Sequence, residues 1–134
     1  MKEKKLFSYS EAWIFISFCE TLKNGNFDYA TMVMIADSYA HAIPNYEEVK
    51  NFFEKSMKYS LVLFKDKTFS LSDKGKEIFA KYEKVKGGLF SRVEIAQKKL
   101  NSSRNKFEEN LNIPEFCFIS EKDYLEICKR YSNR

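Results

Sequence analysis

The stretch from Ile43 to Val85 reads as a capped helix, a short two-stranded ribbon and a second capped helix, and this order constrains the fold most. Asn45 with Glu48 forms a capping-box signature directly after Pro44, which predicts a helix beginning near Tyr46. On its wheel Val49, Phe52, Phe53, Ser56 and Met57 gather on one side. Glu47, Lys50, Asn51, Glu54, Lys55 and Lys58 gather on the other, so one face is buried and one is wet. Leu61 to Phe64 and Thr68 to Leu71 are β-prone runs, and Lys65, Asp66 and Lys67 between them predict a three-residue hairpin loop. Ser72 then caps a helix whose apolar residues Ile78, Phe79 and Tyr82 recur at helical spacing, ending before Gly87-Gly88.

The string Phe69-Ser70-Leu71-Ser72-Asp73-Lys74-Gly75-Lys76 resembles the segment that closes the wing in many bacterial winged helix-turn-helix proteins, where Leu-Thr-x-x-Gly follows the last strand. Ser72 stands in for the usual Thr, and the resemblance implies that Gly75 lets the helix pack close to the sheet. The stretch from Ala36 to Glu48 is also similar to a pattern in a group of short bacterial winged-helix proteins without an assigned activity. Together the two likenesses span about half of the chain. They imply an α+β, mostly α fold: a winged helix of three helices plus a β-hairpin wing over residues 1–88, extended by C-terminal helices over 89–134. Winged helices serve as DNA readers, RNA readers and protein-docking modules, so the fold does not by itself select a function.

A length of 134 residues suits one domain, and 44 % apolar with 16 % aromatic content is ample for a compact core. The net charge of +4 permits a polyanionic partner without amounting to a nucleic-acid signature. Cys19, Cys117 and Cys128 are odd in number, far apart and without metal-ligand spacing, so the expectation is three small core hydrophobes in a reducing cytoplasm. The longest apolar run, Ala12 to Ile16, is far below the roughly 20 residues that span a bilayer, so no membrane contact is expected.

Ser10 is a suitable N-cap for a first helix from Glu11 to Lys23. Ala12, Ile14, Phe15, Ile16, Phe18, Cys19 and Leu22 fill more than half of its circumference, which suits a helix covered on two sides. Trp13 sits apart on the arc with Ser17 and Glu20 and is the partner-binding candidate if it faces solvent, but packing under the N-terminal arm is the favoured reading. Asp28 caps a second helix from Tyr29 to about His41. Asp37 and His41 lie one turn apart, but a metal needs a third ligand, so a structural role at the helix end is favoured. Leu89, Val93, Ala96, Leu100 and Phe107 trace an apolar seam to about Asn110, which either folds back on the core or meets its counterpart in a homodimer. Ser120 caps a last helix from Glu121 to Tyr131, with Tyr124, Leu125, Ile127 and Cys128 inward.

No nucleophile with a base and a third group can be read, and no Gly-rich phosphate loop exists, so neither an enzyme nor a cofactor is expected. Binding remains. In helix-turn-helix readers the N-terminal part of the third helix meets base edges while nearby lysines neutralise phosphates. Asn51 has base-reading chemistry, Lys55 and Lys58 lie on the same face, and Lys65 and Lys67 flank the wing tip. Against them, Glu47, Glu48 and Glu54 put carboxylates where phosphate would come, and charges about 4 Å apart interact by about 4 kcal/mol at an effective dielectric of 20. The expectation is a cytoplasmic DNA-binding transcription regulator, with a winged-helix protein-interaction module as the alternative.

Overall fold

The computed structural model describes residues 6–85, 92–102 and 118–132 of the chain. They are mostly helical, with one two-stranded antiparallel sheet. In chain order the elements are α1 (Tyr9–Lys23), α2 (Tyr29–Ala40), α3 (Tyr46–Lys58), β1 (Val62–Lys65), β2 (Thr68–Leu71), α4 (Asp73–Val85), α5 (Arg92–Ser102) and α6 (Glu121–Ser132).

Helix α1 is the centre of the fold: α2, α3 and α5 all pack against it. Its cap is Ser8 rather than the expected Ser10, because Glu11 completes a capping box. The Ser8 hydroxyl accepts the Glu11 N–H at 3.1 Å, and the Glu11 carboxylate accepts the Ser8 N–H at 2.8 Å. Every residue from Glu11 to Cys19 is buried. Two hydroxyls survive in this interior because each bonds back one turn, Ser17 to the Trp13 carbonyl and Thr21 to the Ser17 carbonyl, both at 2.8 Å. Trp13 is packed, as favoured, but the partner-binding alternative falls and the cover is α2 rather than the N-terminal arm: the indole is 6 % exposed, and its N–H donates to the Ala36 carbonyl at 2.8 Å. Burial also pushes the Cys19 thiol well up, which keeps it protonated and inert.

Aromatic side chains weld α1, α3 and the hairpin. Phe53 stacks on Phe69 of β2 at 4.2 Å between centroids and meets Phe18 of α1 edge-on at 5.5 Å. Such pairs contribute about 1 kcal/mol each beyond the area they bury. The capping box predicted for α3 is present, with Asn45 and Glu48 exchanging backbone bonds at 2.8 and 3.0 Å. The buried set on α3 is the predicted one: Val49, Phe52, Phe53, Ser56 and Met57.

The hairpin loop is two residues long, not three. Lys65 pairs with Thr68 as the last rung of the ladder, which leaves Asp66 and Lys67 as the turn. Both have positive φ, +54° and +63°, the condition that matches a two-residue turn to the right-handed twist of the strands. An isolated ribbon of this size is marginal in water, so its inner residues must anchor it. Val62 and Phe69 do so, each almost fully buried.

A single carbonyl ties the base of the hairpin to α4. The Leu61 oxygen accepts the Ser72 N–H and the Ser72 hydroxyl, both at 3.0 Å, while the same hydroxyl accepts the Gly75 N–H at 3.0 Å and so caps α4. Gly75 passes so close that an added Cβ would lie 2.6 Å from the Leu61 oxygen and 2.8 Å from Leu71 Cδ2. The close packing expected of this glycine is therefore real.

Of the predicted seam from Leu89 to Asn110, residues 92–102 form α5, and Val93, Ala96 and Leu100 are buried against α1 and α4. Leu89, Phe107 and Cys117 lie outside the described residues. Asn101 clasps the chain entering α1 by exchanging both backbone bonds of Phe7, at 2.8 and 3.1 Å, and Gln97 adds a third at 3.2 Å. Helix α6 packs on α2 and α3. Tyr124 is its buried residue, whereas Leu125, expected inward, is 54 % exposed. Among the described residues no helix is long and apolar enough to cross a membrane.

Two outcomes follow from this packing. Helix propensity alone makes Gly75→Ala favourable by about 1 kcal/mol, but overpacking against a fixed carbonyl is larger. The variant is expected to lose about 1–2 kcal/mol of stability in urea unfolding. Because Trp13 is the single tryptophan, emission of the folded protein is expected to be blue-shifted and protected from iodide, and unfolding reverses both.

Candidate functional site

Helix α3 is amphipathic enough to bury one face and leave a strip outside, so a candidate surface forms without further machinery. Glu47, Asn51, Glu54 and Lys58 run along that strip, all exposed. On one side the strip borders an open cleft of about 800 Å³, with Ser8, Ser10 and Glu11 from the start of α1 facing Glu48, Asn51 and Glu54. On the other side it borders α6.

Three tyrosine hydroxyls fix α6 beside the start of α3. Tyr46 donates to the Ile119 carbonyl at 2.9 Å, Tyr124 to the Pro44 carbonyl at 2.6 Å, and Tyr131 to the Asp37 carboxylate at 2.7 Å. Burial pushes the Tyr124 hydroxyl far up, with Cys128 and Glu48 adding to the effect, and burial raises the neighbouring Tyr29 to about 12. The Tyr124 hydroxyl therefore stays a neutral donor across the physiological range. The first turn of α6 carries Glu121 and Asp123, and the first turn of α3 carries Glu47 and Glu48.

The sequence-derived candidates separate into distinct groups. Asn51, Lys55 and Lys58 share the cleft. Lys55 is committed inside the fold: its ammonium donates to the Leu6 carbonyl at 2.7 Å and to Glu11 at 2.9 Å, and it lies 5.5 Å from the Phe7 ring centre. It cannot also neutralise phosphate without leaving a largely buried carboxylate unpaired. Lys58 remains on the exposed strip, 5.5 Å from the Tyr59 ring centre. Lys65 and Lys67 are exposed at the hairpin tip and line no part of the cleft. Trp13 belongs to the core and joins neither group.

Asp37 and His41, weighed above as an isolated pair, are drawn apart chemically. The Asp37 carboxylate takes Tyr131, and His41 closes α2 in a left-handed conformation with φ +54°. Among the described residues no three His, Cys, Asp or Glu side chains are grouped to hold a metal ion. Sequence reasoning missed Glu11 as the partner of Lys55 and the tyrosines as tethers of α6. Only the first had a local signal, since Ser8-x-x-Glu11 is a capping-box spacing.

Comparison with family profiles, with curated proteins and with solved structures finds no match to this chain. The geometry alone must therefore carry a functional reading.

The division of labour between the two cleft lysines is measurable. Lys55→Gln is expected to lower unfolding free energy by about 1–2 kcal/mol, because it strands Glu11 and the Leu6 carbonyl. Lys58→Gln on the exposed strip is expected to change it by less than about 0.5 kcal/mol. Paired urea titrations compare them directly.

Proposed function

We propose that the chain is a winged-helix binding module that docks a protein partner through the outward strip of α3. In this reading α2 and α3 with the Ile43–Asn45 turn are the helix-turn-helix, and the Asp66-Lys67 hairpin is the wing. One observation carries the choice of partner: Lys55 is spent on Glu11 and the Leu6 carbonyl, so the outward side of α3 presents Glu47, Glu48 and Glu54 against Lys50 and Lys58, with Asn51 among them. A polyphosphate backbone meets repulsion there, and removing Lys55 from the tally deepens it. A protein surface with basic and hydrogen-bonding groups is complementary to the same strip.

A second reading, a DNA-binding transcription regulator, is favoured by a different observation. Lys65 and Lys67 stand exposed at the tip of the hairpin, a geometry suited to phosphate contact without base reading. In that case α3 contributes little, and binding is weakly selective for sequence.

Photo-crosslinking separates the two. With a photoreactive residue replacing Asn51, the protein reading expects an adduct that survives nuclease and is lost on Glu54→Lys. With the probe replacing Lys67, the DNA reading expects a nuclease-sensitive adduct. It also expects retardation of a mixed duplex that weakens steeply between 50 and 200 mM salt, to an extent of order tenfold or more for several phosphate contacts. A nuclease-sensitive adduct at position 51 would overturn the protein reading.

A further inference from the structure

The contact between α6 and the rest of the chain differs in kind from the other helix contacts. Helix α1 is buried through most of its length, and α5 presents Val93, Ala96 and Leu100 to it. In α6 one residue, Tyr124, is fully buried, while Leu125 stands half in solvent. Three phenol hydroxyls, each reaching a carbonyl or carboxylate distant in sequence, add to the packing of Tyr124, Ile119, Cys128 and Tyr131 on the core. Ahead of the helix, Phe118 inserts its ring among Tyr29, Tyr46 and Phe53, at 6.1, 5.6 and 5.7 Å between centroids.

Withdrawing this segment would take Tyr124 out of the core but leave the aromatic cluster of α1, α3 and the hairpin in place. Phe53 keeps Phe18, Phe27, Phe52 and Phe69 around it, and none of these belongs to residues 118–132. Pro44 and the start of α3 would be uncovered, together with the ring of Tyr46. The cost of opening lies in a few directional bonds, the Phe118 plug and the burial of Tyr124, and it is separable from the cost of unfolding.

We infer that residues 118–132 form a hinged cover over the α2–α3 turn, latched by Tyr46, Tyr124 and Tyr131, which opens as one unit while the rest of the fold stays closed. Closed, it flanks α3 with Glu121 and Asp123 and occupies the turn. Open, it uncovers surface beside the α3 strip, adding an aromatic patch to a charged one. Its consequence for docking rests on the reading of α3 given above, but the opening itself does not.

Hydrogen exchange read by mass spectrometry on the full chain, without any partner, tests the opening independently of that reading. The amides of α6 are expected to exchange through one shared event at least about tenfold faster than those of α1. Tyr131→Phe and Tyr46→Phe, two separate removals of a latch bond, are each expected to accelerate α6 about fivefold and leave α1 unchanged. The proposal is overturned if α6 and α1 share one rate, or if both substitutions speed the two helices alike or neither. A gradient of protection falling toward Ser132 without a shared rate marks simple end-fraying and overturns it as well.

Discussion

The carbonyl oxygen of Leu61 is the point on which the arrangement of α3, the hairpin and α4 depends. A buried carbonyl must find donors, and here both come from one residue, Ser72, whose hydroxyl also caps the helix that follows. Leu61 in turn donates its own N–H to the Ser56 carbonyl at 2.8 Å, which ends α3. Three elements are thereby fixed within a few ångströms of one atom, and Gly75 is the residue type that lets the third come so close. The hairpin projects in a defined direction because its base is held in this way. Its own two strands are too short to set that direction.

What could be read from the sequence followed from one-sidedness. Helix α3 has a wet face and a dry face, so its wheel pointed the correct way and its buried set was predicted residue for residue. Helix α1 is surrounded, so its wheel has no direction to give, and it does not show that α2, rather than the N-terminal arm, covers Trp13. The Ser8 cap was within reach of local reasoning, since the spacing to Glu11 is the same signature used correctly at Asn45. The hairpin was recognised, but its loop length was not, because two non-glycine residues with positive φ carry no compositional mark of a two-residue turn. The position of α6 was out of reach altogether: it depends on hydroxyl bonds between residues 73 to 94 apart in sequence.

The candidate surface teaches the same lesson in electrostatic terms. Counted along the chain, the lysines and glutamates of the third helix cancel, and Lys55 looks like one more surface charge. In space it is a half-buried strut from α3 to Glu11 and the Leu6 carbonyl. Its removal from the surface tally tilts the strip toward negative, while Lys65 and Lys67 keep the hairpin tip positive. Net charge is a property of the whole molecule, but a partner meets only the part that faces it.

The turn at the hairpin tip carries one more implication. Lys67 sits at φ +63°, in the left-handed region where a Cβ crowds the backbone and where glycine would relax at little cost. A side chain there keeps a penalty of about 1 kcal/mol in the native state. Backbone comfort and cationic character therefore compete for this single position, and the chain has settled in favour of charge. A glycine exchange would yield a sturdier ribbon with a blunter tip, so the durability of the fold and the electrical character of its projection cannot both be maximised at Lys67.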